Sequence, residues 1–119
     1  MLPEIKSLSK TGFNSIYKAL LPIKPVGNYK GFWLLVSAIE QILKQNIHTY
    51  NLSCDIYPPV ARIYNCNSRS IERNLRTLLL NMDMCTLQQL TGQNIPEKIT
   101  VSQLIDILVV YFLFHNHEE

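Results

Sequence analysis

Arg69, Arg73 and Arg76 recur at intervals of four and three residues, a spacing that lines side chains along one side of an α-helix. With successive residues about 100° apart, Leu80 joins that side, while Ile71, Leu75, Leu78 and Met82 fall on the opposite one. A row of guanidinium groups suits DNA, because arginine can donate paired bonds to guanine O6 and N7 and can also neutralise phosphates. Ser70 and Thr77 flank the row as shorter hydrogen-bonding groups. Glu72 can accept from a cytosine amine or brace a neighbouring arginine. The same pattern also describes the solvated face of an ordinary amphipathic helix, so the arginines alone leave DNA contact open.

The element that must hold this row has the outline of a helix-turn-helix, running from Tyr57 to Leu80. Its first helix is expected to open at Pro58 and Pro59, whose missing N–H groups cost least in a first turn. Val60, Ala61, Ile63 and Tyr64 then give it an apolar side. Asn65, Cys66, Asn67 and Ser68 form the break, because Asn and Ser side chains bond nearby backbone groups and compete with helix. Asn67 is the expected N-cap of a second helix over about residues 68–80.

Other elements follow from helical periodicity. Phe13, Ile16, Tyr17, Leu20 and Leu21 predict a short helix, interrupted by Pro22, Pro25 and Gly27. A longer helix over about residues 29–46 presents Phe32, Leu35, Val36, Ile39, Ile42 and Leu43 as a wide apolar face, with Leu34 and Trp33 adding to the core. Thr86 to Leu90 is expected to form one further turn before Gly92, and Thr100 or Ser102 to begin a last helix. No strand pattern, internal repeat or low-complexity segment stands out. The expected fold is all-α, a single-domain bundle of about five or six helices containing the helix-turn-helix. Residues 1–12 read as a lead-in to a domain over residues 13–119.

Between Leu104 and Phe114 only Asp106 is polar. This run is too short to span a bilayer, which needs about 20 residues. Apolar on every side, it predicts burial both by its own domain and by a second protein surface, with Leu108, Tyr111, Phe112 and Leu113 as the candidate dimer or partner interface. A fully enclosed core helix is the alternative.

At 119 residues and 13.8 kDa the chain has room for one domain with its own core. Its 47% apolar and 17% charged residues exclude the composition of a disordered chain. The net charge of +2 is unevenly spread: +4 over residues 1–30, −1 over 31–55, +3 over 56–80 and −4 over 81–119. Lys6, Lys10, Lys18, Lys24 and Lys30 and the helix-turn-helix therefore predict one basic face on a molecule with an acidic C-terminal third. Cys54, Cys66 and Cys85 are odd in number, without CxxC spacing and with no secretory leader before them, which points to a reducing cytoplasm. A zinc site combining them with His48, His115 or His117 lacks ligand spacing, so no metal or cofactor is expected. No histidine stands beside an obvious nucleophile, and no phosphate-binding glycine loop or carboxylate cluster is present, so the chain does not read as an enzyme.

Several ordered pieces carry a family resemblance: Tyr29-Lys30-Gly31-Phe32, Ile56-Tyr57-Pro58, Val60-Ala61-Arg62, Tyr64-Asn65, Ile71-Glu72-Arg73 followed by Arg76, and the run from Ile99 to Ile105. Over about residues 13–115 the chain resembles the C-terminal DNA-binding domain of the sporulation initiation master regulator, stage zero sporulation protein A, of endospore-forming bacteria. The resemblance implies a bundle of about six helices that binds tandem DNA sites as a head-to-tail pair and touches RNA polymerase sigma factor. In that family the recognition helix reads bases through an arginine, a glutamate and a second arginine, with a further arginine and a histidine near phosphates. Glu72, Arg73 and Arg76 stand at matching positions. Ser70 occupies the first arginine position, with Arg69 one residue earlier and thus about 100° around the helix, and Thr77 occupies the histidine position.

Family members carry an N-terminal receiver domain whose phosphorylation on aspartate promotes dimerisation. The chain leaves no room for one, so phosphorylation control is not expected. The implied function is a sequence-specific regulator of transcription that binds double-stranded DNA, as a homodimer, at the nucleoid in the cytoplasm. Arg73 and Glu72 would read base edges, and Arg62, Arg76 and Lys30 would hold phosphates. The alternative is a protein-interaction module, such as an antagonist of a full-length sporulation regulator, that keeps the fold but not DNA binding. Ser70 and the apolar Leu80 on the arginine side fit that second reading.

Overall fold

A computed structural model describes residues 12–27, 29–45 and 50–116, with Tyr29, His115 and Asn116 given by backbone alone, and among the described residues six α-helices are arranged around the longest of them. In chain order they are α1 (Phe13–Leu20), α2 (Tyr29–Gln45), α3 (Tyr57–Tyr64), α4 (Ser68–Leu80), α5 (Met84–Thr91) and α6 (Val101–Asn116). A 3₁₀ turn, Leu21–Ile23, extends α1, and a π turn, Leu52–Ile56, leads directly into α3. No strand occurs among the described residues, and the fold is all-α. The expected lead-in lies outside the described residues apart from Gly12, as do Lys6, Lys10, His48 and His117.

α2 contacts α1, α3, α4 and α6, which explains why its apolar residues exceed one stripe. Phe32, Leu34, Leu35, Val36, Ala38, Ile39 and Ile42 are all buried, and each large one contributes about 1.5–3 kcal/mol by leaving water. Ser37 is buried among them, and its hydroxyl meets the Tyr64 hydroxyl at 2.6 Å. That pairing satisfies a polar group in the core and ties α2 to the end of α3.

Trp33 was expected in the core and is instead 42% exposed. It follows Phe32 by about 100° and so leaves the buried side of α2, where α1 covers it only in part through Phe13 and Tyr17, at ring distances of 5.2 and 5.4 Å. Leu21 and Ile63 also depart from the expected apolar faces and are exposed. Leu21 belongs to the 3₁₀ turn, where the tighter winding moves it off the α1 stripe.

α5 is a full eight-residue helix rather than one turn. Asp83 begins it, one carboxylate oxygen accepting from the Cys85 N–H at 3.0 Å and the other from the Thr86 hydroxyl at 3.0 Å. Gly92 ends it at φ +71°, with its N–H on the Gln88 carbonyl at 2.8 Å, the left-handed C-terminal geometry that glycine adopts without strain.

α6 starts at a capping box. The Thr100 hydroxyl accepts from the Gln103 N–H at 3.1 Å and the Gln103 side chain accepts from the Thr100 N–H at 2.8 Å. Along α6, Leu104, Ile105, Leu108, Val109 and Phe112 are buried against the rest of the bundle. This corrects the candidate interface: Leu108, at 0% exposure, and Phe112, at 5%, are core residues, because α2, α4 and α5 pack on that side. Tyr111 is half-buried, with its ring edge-on to Phe112. Val110, Leu113 and Phe114 are the exposed apolar residues of α6. No described helix is long and apolar enough to cross a membrane.

Candidate nucleic-acid interface

The helix-turn-helix is built earlier in the chain than the prolines suggest. Pro58 and Pro59 occupy the first turn of α3, but helical winding begins at Leu52 as the π turn. The Tyr57 N–H reaches back five residues to the Leu52 carbonyl, supplying a bond just before two residues that have no N–H to donate. Asn51 and Asp55 close the start of this turn: the Asn51 side chain accepts from the Cys54 N–H at 3.1 Å, and the Asp55 carboxylate from the Asn51 N–H at 2.9 Å. Sequence reasoning missed the π turn because its residues carry no hydrophobic period of their own.

α3 stops at Asn65, which adopts φ 55° and ψ 51°. Asparagine tolerates this left-handed conformation because its short polar side chain can bond locally. Asn67 caps α4, its side chain accepting from the Ser70 N–H at 2.8 Å, and α4 begins at Ser68, so the break is Asn65, Cys66 and Asn67. Ile71, Leu75 and Leu78 are fully buried and fasten α4 onto α2, α3 and α6. Met82 lies beyond the end of α4, half-buried.

The opposite side of α4 is open. Arg69, Arg73, Arg76, Thr77 and Leu80 are all exposed, and with Glu72, Ser53, Tyr57 and Ser68 they line a groove between α4 and the π turn that leads into α3. Ser70 stays out of this groove: it is half-buried, and Asn74 donates to its carbonyl at 2.8 Å. Arg62, in the last turn of α3, and Lys30, in the first turn of α2, are exposed but line no part of it.

Within the groove Glu72 is occupied on both oxygens. One accepts from the Tyr57 hydroxyl at 2.6 Å and the other from the Arg76 Nε at 3.1 Å. Burial pushes the Tyr57 hydroxyl well above its ordinary value; the bond to Glu72 and its charge add to the shift, and Arg76 opposes it. The Thr77 hydroxyl donates to the Arg73 carbonyl at 3.1 Å, leaving its oxygen free to accept. Arg69 and Arg73 have no carboxylate partner among the described residues, so their donors remain available. Sequence reasoning placed neither Ser53 nor Tyr57 in the groove; Tyr57, before two prolines, was indistinguishable from a core aromatic. Only the fold shows its hydroxyl facing Glu72.

The family described as Sporulation initiation factor Spo0A C terminal matches residues 16–112, which include every residue of the groove. No curated protein and no solved structure gives a match.

Proposed function

Because the chain belongs to the family of sporulation initiation factor Spo0A C-terminal domains, we propose that it is a sequence-specific transcription regulator that lays α4 in the major groove of double-stranded DNA. The observation that carries this reading is the outer face of α4: Arg69 and Arg73 exposed and without carboxylate partners among the described residues, on a helix capped at one end and anchored by a buried leucine and isoleucine stripe. An α-helix about 10–12 Å across fits a groove about 12 Å wide, and a rigidly held helix presents its donors at fixed positions.

In this reading Arg73 makes paired bonds to a guanine, and Arg69 contacts a neighbouring base or phosphate. Glu72 acts on DNA through Arg76: it fixes the guanidinium, and Tyr57 fixes Glu72 in turn. Thr77 offers an acceptor beside Arg73. Arg62 and Lys30 hold phosphates outside the groove, setting register and making affinity fall with salt. Self-association uses the exposed end of α6. The protein then acts in the cytoplasm, on the chromosome.

The test is binding to a labelled duplex with tandem family-type sites and to a scrambled duplex, across a salt series, with Arg73→Ala as the variant. Arg73→Ala is expected to lose about 1–3 kcal/mol on the sites and much less on the scrambled duplex. Equal losses on both would contradict base reading by Arg73.

A further inference from the structure

Leu80 is 85% exposed, more than any other large apolar side chain among the described residues except Val26. It is the last residue of α4 and lines the arginine groove together with Arg73, Arg76 and Thr77. Arg76 and Thr77 precede it by four and three residues, so they are its neighbours on the helix surface, and a helical side chain leans toward the N-terminus, over the preceding turn. The isobutyl group therefore closes the C-terminal end of the row of donors. A leucine so placed is unfavourable in water and offers nothing to a phosphate.

Resting on the DNA-binding reading above, we propose that Leu80 is a specificity-determining residue that packs against the C5-methyl group of a thymine at the edge of the recognised site. That methyl is the apolar feature of the major-groove base edges, and an apolar side chain that ends a row of hydrogen-bonding ones matches it in chemistry. Arg73 and its neighbours select by hydrogen bonds, and Leu80 selects a thymine next to them by shape and dehydration. The assignment also accounts for an apolar residue on the arginine face without requiring that the face has lost its DNA.

The full chain and its Leu80→Ala variant are each used to select duplexes from a randomised library. The duplex selected by the native chain is then remade with deoxyuridine in place of each thymidine in turn, which removes one methyl and nothing else. The native chain is expected to lose about three- to fivefold in affinity at one thymine. Leu80→Ala should bind the thymine and uracil duplexes equally there while retaining its preference at the bases read by Arg73. A selected motif without methyl sensitivity, or with the same sensitivity in Leu80→Ala, overturns this inference, leaves the DNA reading intact and assigns Leu80 to a protein contact. Selection of no motif by the native chain overturns the DNA reading and this inference with it.

Discussion

Glu72 accepts from two donors at once, Tyr57 on one carboxylate oxygen and Arg76 on the other, and each oxygen keeps a further lone pair with which to accept. A carboxylate held in this way confines an arginine to one geometry, and less side-chain freedom is then lost when the arginine binds. Tyr57 is the hidden partner in that arrangement and has a measurable signature at high pH. Burial together with Glu72 raises the Tyr57 hydroxyl above its ordinary value of 10.0, and burial together with Asp106 does the same for Tyr50. The folded chain thus binds these two protons more tightly than the unfolded chain. The resulting stability is complete below about pH 10 and declines above it, because the unfolded tyrosines ionise while the folded ones stay protonated. Urea midpoints should therefore fall between about pH 9 and 11, and fall less steeply in a Tyr50→Phe/Tyr57→Phe double variant. Parallel profiles would show that the two hydroxyl bonds contribute nothing to the alkaline limb.

The helix-turn-helix depends on two asparagines with different tasks. Asn65 ends α3 in a left-handed conformation, and Asn67 starts α4 by accepting from Ser70. Removing the Asn67 acceptor leaves a first-turn N–H unsatisfied, at a cost of about 0.5–2 kcal/mol. Asn67→Ala should lower the thermal stability of the purified chain accordingly, and Asn67→Asp should restore most of it. At Asn65 the backbone decides instead: Asn65→Gly is expected to be tolerated and Asn65→Ala to destabilise by about 1 kcal/mol. An Asn65→Ala variant as stable as the native chain would remove the left-handed cap from the account of how α3 stops.

Over the whole molecule, α6 has one side in the core and an exposed apolar end, the end proposed above for self-association. Leu108 is fully buried, whereas Leu113 and Phe114 are 46% and 68% exposed. Leu113→Glu and Phe114→Glu are thus expected to leave the far-ultraviolet circular dichroism of the chain unchanged and to shift its sedimentation from dimer to monomer. Leu108→Glu is expected to unfold it, by burying an unpaired charge. A native chain that sediments as a monomer at concentrations that saturate DNA would discard the proposed use of the α6 end. The net charge is small, so affinity for random DNA should come from the few exposed cations around α4 and weaken with salt in proportion to their number.

Local rules were sufficient for much of this architecture. The Asn67 cap, the bounds of α4, the stripe of Ile71, Leu75 and Leu78 and the opposing arginines all follow from side-chain chemistry within one or two helical turns, and that chemistry is written in order along the chain. The capping chemistry of Thr100 was equally local, as was that of Asp83, which the expectation of a single turn from Thr86 to Leu90 passed over. What lay beyond local reading involved residues far apart in sequence. Trp33 proved half-exposed because α1 meets it only through Phe13 and Tyr17, and Leu108 and Phe112 proved to be core because α2, α4 and α5 converge on one side of α6. The bond from Tyr57 to Glu72 spans 15 positions, and that from Tyr50 to Asp106 spans 56. The sequence by itself determined which side chains share a helix face, because 100° per residue is a property of the backbone. Only the tertiary structure decided which faces meet, since burial depends on the neighbours that three-dimensional packing brings together.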